Sequence, residues 1–138
     1  MELVNFSPEN ELEIFITDTK KGGRSIDELI NKLIESDLYI PSMTEVEQDG
    51  SGFTPLLLGE IANPLVAAFS SLSRPGLHGQ RAGYVLSMQG NDFFLRLPNG
   101  YGLAINPGYT TQLIISEDII SDKKQMLLNT VSHAKKTI

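Results

Sequence analysis

The segment Gly100-Tyr-Gly-Leu-Ala-Ile-Asn-Pro-Gly108 limits the fold of this chain more than any other. A polar turn leads into a short apolar strand, and Asn106-Pro107-Gly108 stops that strand hard. Pro107 fixes its own φ, and Gly108 is expected to take a positive φ that a side chain would resist. Asn106 is expected to fold onto its own backbone as an Asx turn; the alternative is a carboxamide that binds a ligand at the strand end. Apart from the Tyr101 phenol the segment holds no acid, base, thiol or hydroxyl. It informs about fold and not about a reaction.

A chain of 138 residues is expected to form one domain, residues 1–138, and to bury enough surface to fold without a metal or disulfide. It has no cysteine, which excludes a disulfide framework, Cys-ligated zinc and thiol catalysis together. No signal peptide is expected from Met1-Glu2-Leu3-Val4-Asn5, and no apolar run approaches the ~20 residues of a membrane span. These features point to a cytoplasmic protein with no membrane partner.

The net charge of −6 is unevenly spread. Residues 1–60 carry 13 acidic and 4 basic side chains, and residues 61–138 carry 4 acidic and 7 basic. A phosphate backbone would repel the first half, and the second half is too weakly basic for a nucleic-acid footprint. The acidic half reads either as a solvated surface or as a face for a basic protein partner.

The periodicities give an ordered set of elements. Residues 7–21 read as a helix capped by Ser7 with Pro8 in its first turn, presenting Leu12, Phe15 and Ile16. Ser25-Ile-Asp-Glu28 is a capping box for a second helix, with Leu29, Ile30, Leu33 and Ile34 on one face. Leu38 to Pro41 reads as a strand, extended in one reading through Thr44, Val46 and Gln48. Asp49-Gly50-Ser51-Gly52 then reads as a hairpin turn, and Phe53 to Leu58 as the return strand. Leu65 to Phe69 is nearly all apolar and reads as a central strand. Residues 70–83 read as a loosely held, mobile loop, because serines and glycines outnumber its apolar side chains. Tyr84 to Met88 reads as a strand, and Asn91 or Asp92 caps a short helix ending before Pro98. Leu103 to Ile105 and Gln112 to Ile115 are strands. A last helix from Ser116 or Ser121 carries Met126, Leu127 and Val131, with His133, Lys135 and Lys136 at its basic end. The expected fold is α+β: a mixed, mostly antiparallel sheet of five to six strands, flanked by N- and C-terminal helices.

Four stretches in this order resemble the SseB N-terminal-domain family of bacterial enhanced-serine-sensitivity proteins. They are Leu29-Ile-Asn-Lys-Leu-Ile-Glu-Ser-Asp-Leu-Tyr-Ile-Pro41, Thr54-Pro-Leu-Leu-Leu58, Pro64-Leu-Val-Ala-Ala-Phe-Ser-Ser71, and Gly102-Leu-Ala-Ile-Asn-Pro-Gly108 with Ser116-Glu-Asp-Ile119 behind it. The resemblance spans roughly residues 10–130. Ala68 stands where the family often has Val. The resemblance implies a stand-alone α+β domain with no catalytic residues to carry over.

Known chemistry-bearing motifs are absent. Glu45, Glu47 and Asp49-Gly50 alternate like a calcium loop, but an EF-hand needs a bidentate Glu where Leu56 stands. Gly100-x-Gly102 has Ile105 where a dinucleotide fingerprint has its third Gly. There is no P-loop lysine and no Gly-x-Ser-x-Gly elbow. With two distant histidines and no cysteine, neither metal nor cofactor is expected. His78 lies among Arg74, Arg81, Ser71 and Ser73, which permits a general base, an anion site or simply a solvated loop histidine. The candidate binding residues are therefore Glu45, Glu47 and Asp49 on the acidic hairpin, Arg74, His78 and Arg81 on the loop, and Asn106. The expected function is a non-enzymatic binding or regulatory module whose partner is another protein. The alternatives are an immunity-type or secretion-associated inhibitor using the acidic surface, and a small-molecule binder or weak hydrolase using residues 70–83.

Overall fold

The computed structural model describes residues 3–49 and 51–136, with the side chains of Leu77 and of residues 130–136 left undescribed. Gly50 of the expected turn, and the side chains of Val131, His133, Lys135 and Lys136, therefore lie outside the described residues. The elements run α1 (Glu11–Lys20), α2 (Ile26–Ile34), β1 (Asp37–Ser42), β2 (Leu57–Glu60) and β3 (Asn63–Ala68), then a 3-10 turn (Pro75–His78). β4 (Tyr84–Gln89), α3 (Gly90–Arg96), β5 (Gly102–Ile105), β6 (Leu113–Ile115) and α4 (Glu117–Lys136) follow. The architecture is α+β with mostly antiparallel pairing. None of the described helices is long and apolar enough to cross a membrane.

The six strands divide into two sheets rather than one. β1 and β4 form an antiparallel pair, and β2-β3-β5-β6 form a second sheet in which only β3 and β5 run parallel. The sheets are stitched by single bridges. Tyr39 and Phe69 exchange backbone hydrogen bonds of 2.9 and 2.8 Å, and Leu56 N–H donates to the Pro41 carbonyl at 3.1 Å. Pro41 has no N–H to donate to a neighbour, so it suits this seam better than a continuous ladder.

Local chemistry explains most element ends. Ser25 forms the expected capping box, with Glu28 N–H donating to Ser25 Oγ and Ser25 N–H donating to the Glu28 carboxylate, both at 3.1 Å. Hydrogen bonds from Ser25 and Arg24 help hold the Glu28 carboxyl below its ordinary pKa. The first helix begins later than expected. Its N-cap is Asn10, whose Oδ1 accepts from Glu13 N–H at 2.8 Å, while the Ser7 carbonyl is claimed by Arg74. Asn caps as well as Ser, so the choice falls to tertiary contacts. The region after β1 is not a regular hairpin. It is a closed loop, tied by Glu47 N–H to the Ser51 carbonyl (2.9 Å) and Met43 N–H to the Thr54 carbonyl (2.8 Å), and the strand after it starts only at Leu57.

The core lies between the sheets and the helices. Leu12, Ile16, Leu29, Leu33, Leu38, Ile40, Phe94, Leu103 and Ile105 are among its buried members. A second, smaller cluster joins Leu56, Ala67, Phe69, Ala82 and Tyr109. Leu33 and Ile34 meet α3 so closely that Gly90 has no room for a side chain. A Cβ there would stand 1.8 Å from the Leu33 carbonyl oxygen.

Candidate functional site

Of the candidate residues, Arg74 and Asn106 converge, on a buried polar cluster with Glu13 and Ser70. Glu13, on the first turn of α1, is fully buried beside Arg74, which is 8 % exposed. Arg74 grips its carboxylate with both sides of the guanidinium, Nε to Oε2 at 3.1 Å and Nη2 to Oε1 at 2.8 Å. Nη2 also donates to the Ser7 carbonyl at 2.6 Å and lies 3.6 Å from Glu9. The Phe6 ring lies under the guanidinium at 4.2 Å and the Tyr109 ring at 5.2 Å, both within the range of cation–π attraction. Ser70 Oγ donates to Glu13 Oε2 at 2.5 Å and accepts from Asn106 Nδ2 at 2.9 Å. Asn106 Oδ1 accepts from Ser70 N–H at 3.2 Å, and Asn10 Nδ2 donates to the Ser70 carbonyl at 3.0 Å.

Burial alone would raise the Glu13 pKa. Hydrogen bonds from Arg74, Ser70 and Glu9 N–H, with the Arg74 charge, overcome it and hold the carboxyl below its ordinary value. Hydrogen bonds to Glu13 likewise hold Arg74 above its own, against desolvation. Both groups are charged at neutral pH, and both Glu13 oxygens and the Nε and Nη2 of Arg74 are engaged inside the protein. This cluster ties α1, the start of the 70–83 segment and the Asn-Pro-Gly turn into one body.

Two sequence expectations change here. Asn106 does not fold an Asx turn onto its own backbone. It is fully buried at φ 51°, and its carboxamide crosses to Ser70 in place of either a local turn or an exposed ligand contact. A left-handed backbone is tolerable for Asn, which frees the side chain to reach another segment. Gly108 follows with φ 90°, as the turn requires. The 70–83 segment is also packed more firmly than its composition implied. Ser70, Arg74 and Ala82 are buried, because an ion pair and one small apolar residue anchor a stretch with few apolar side chains.

The remaining candidates are spread apart. His78 Nε2 is 2.9 Å from the Pro107 carbonyl, which can only accept, so Nε2 carries the proton. Its ring packs 5.7 Å from Phe69. The hydroxyls of Ser71 and Ser73 lie 3.2 Å apart, and Ser73 donates to Glu9 at 2.9 Å rather than to the histidine. Arg81 is exposed, whereas Arg74 is buried. Glu45, Glu47 and Asp49 are exposed on the loop after β1, and hydrogen bonds from Ser51 hold the Asp49 carboxyl below its usual range. No group of three or more His, Cys, Asp or Glu capable of holding a metal occurs among the described residues.

The sequence reading missed an apolar cleft of about 610 Å³ between the two sheets. Leu86 and Met88 of β4 form one wall, two residues apart and so on the same face of the strand. Phe53 to Pro55 of the loop after β1, with Leu57 of β2, form the other. Phe93 and Leu97 floor it from α3 and its end. Of thirteen lining residues only Arg96 is charged, and only Thr54 and Tyr101 add hydroxyls. The Thr54 hydroxyl is spent on Thr44 at 2.8 Å. The side chains of Arg96 and Tyr101 make no hydrogen bond or ion pair with any described residue. No local signal marks this cleft, because its lining comes from ordinary apolar residues in separate segments that each read as core.

Compared with protein-family models, curated proteins and solved structures, the chain matches none.

Proposed function

We propose that this chain is a non-enzymatic binding module of the SseB N-terminal-domain kind, working in a bacterial cytoplasm, and that it binds through the cleft between its two sheets. One observation carries this reading: the 610 Å³ cleft is apolar, open and unfilled by the side chains of the described residues. Its volume falls in the range of small-molecule sites, roughly 300–1,000 Å³, and apolar walls with a few polar groups are what such sites present. The two methionines beside it, Met43 and Met88, can repack around different shapes. The polar cluster at Glu13, Ser70, Arg74 and Asn106 has the opposite character, since its hydrogen-bonding groups are already partnered. The four stretches resembling the SseB N-terminal family bear on the kind of module, and they contribute several cleft residues, among them Thr54, Pro55, Leu57 and Val66.

Filling the cleft is the test. Leu86→Trp places an indole in the opening from a half-buried position. In a thermal-shift screen of small apolar compounds, the wild type should rise by several degrees with its best ligands, because ligands that bind only the folded state stabilise it. The variant should keep its own melting temperature and lose that response. An equal response from both proteins would place the binding elsewhere and overturn the proposal.

A further inference from the structure

We infer that the cleft takes an apolar chain ending in a carboxylate, a free medium-chain fatty acid in chemical class, with the carboxylate seated at Arg96 and Tyr101. This rests on the cleft being the binding element and goes further by naming what fills it.

Two side-chain donors without a partner among the described residues, Arg96 and Tyr101, line a recess that is otherwise mostly apolar. Arg96 is the last residue of α3, and Tyr101 stands beyond the Pro98-Asn99-Gly100 turn that follows. That turn returns the chain toward β5, so both side chains line the same cleft. The guanidinium is exposed and pairs with no carboxylate among the described residues, although Asp92 lies one turn earlier on the same helix. The protein is net acidic, at −6, and its buried arginine, Arg74, is committed to Glu13. An unpaired arginine at the mouth of an apolar site therefore selects an anion, and its fork fits a carboxylate with two parallel hydrogen bonds.

The remainder of the site fixes the rest of the ligand. Ten of the thirteen lining residues are apolar and the Thr54 hydroxyl is taken by Thr44, so the walls offer little to a second polar group. A recess of 610 Å³ holds a chain of about ten to twelve carbons with room for adaptable walls. Phe53 to Pro55 belong to the loop that carries Glu45, Glu47 and Asp49, so that side of the cleft disfavours a negative head. The chain end thus enters with its tail toward β4 and its head toward Arg96.

Calorimetric titration of the full chain with dodecanoate, dodecanol and dodecyltrimethylammonium, each below its micellar range, tests the inference. Dodecanoate should bind about tenfold or more tightly than dodecanol, and the cationic chain should bind weakest. Arg96→Gln should remove the preference for dodecanoate and leave dodecanol binding unchanged. Leu86→Trp should weaken both. Equal affinity for dodecanoate and dodecanol, or a preference that survives Arg96→Gln, would overturn the carboxylate while leaving the cleft as binding element. Binding unaffected by Leu86→Trp would overturn both. A tetrapeptide Ala-Ala-Leu-Leu with a free C-terminus is the competing source of the same chemistry. Tighter binding of that peptide than of dodecanoate, lost on C-terminal amidation, would reject the free fatty acid.

Discussion

Replacing Arg74 with Met should destabilise the protein by about 3–5 kcal/mol at neutral pH. Removing one partner of a buried ion pair leaves the other charge uncompensated, and that is the range such changes cost. For a domain of this size the fall in melting temperature is roughly 10–15 °C. The reason is local and complete. Glu13 is 0 % exposed, its carboxylate has Arg74 as its only cationic partner among the described residues, and Arg74 also donates to the Ser7 carbonyl. The Met side chain keeps the contact with Phe6 and Tyr109 while removing the charge. The loss should depend on pH in a defined direction. Glu13 has a folded-state pKa below its ordinary value of 4.5. Its contribution is therefore fully present above that value and is lost as pH falls through the folded-state pKa. In Arg74→Met the carboxyl keeps its burial and loses its main partner, so its pKa rises. Below about pH 4 it is neutral in both states of the variant, and the gap between variant and wild type should narrow. Urea unfolding at pH 7 and pH 4 checks both points. A neutral-pH stability within 1 kcal/mol of wild type would mean that the pair does not hold α1 to the 70–83 segment.

Gly90→Ala should cost about 3 kcal/mol or more, the upper end of what overpacking does. The added Cβ would stand 1.8 Å from the Leu33 carbonyl oxygen, 2.6 Å from its carbon and 2.9 Å from Ile34 Cα. All three are backbone atoms at the end of α2, so no side-chain rotation relieves the contact. The modest gain of alanine over glycine in a helix, below about 1 kcal/mol, does not offset it. Gly90 N–H also donates to the Ser36 carbonyl at 2.8 Å, and separating the helices would break that bond. Gly76→Ala is the comparison, because a Cβ there meets nothing within 4 Å and the residue has no positive φ. It should melt within 2 °C of wild type. If the two alanine variants melted alike, the close packing of α2 on α3 would be wrong.

What the sequence revealed and what it hid follow one physical division. Ser25 and Glu28 were legible because a capping box is closed within four residues. Asn106-Pro107-Gly108 was legible as a turn for the same reason, and Gly108 carries the positive φ expected of it. The role of the Asn106 side chain was not, because its partner Ser70 lies 36 residues away. Nothing near Glu13 in sequence announces Arg74, 61 positions later. Arg74 in turn lay in a stretch whose composition spoke for a loose loop, since composition weighs apolar burial and is blind to a buried ion pair. The strands were largely found, yet their division into two sheets was not, because Pro41 and the loop before Leu57 interrupt ladders without changing the apolar pattern. The cleft is the extreme case, being a gap between elements that is not a property of any one of them.

The division of labour between a closed polar cluster and an open apolar cleft reduces to a single spectrum. Protein labelled at the methionine methyls and the side-chain amides is titrated with dodecanoate. The Met43 and Met88 methyls, which line the cleft, should shift saturably, while the Asn106 side-chain amide, buried against Ser70, should not move. Shifts at Asn106 with both methyls unmoved would place binding at the polar cluster and contradict the cleft as the functional site.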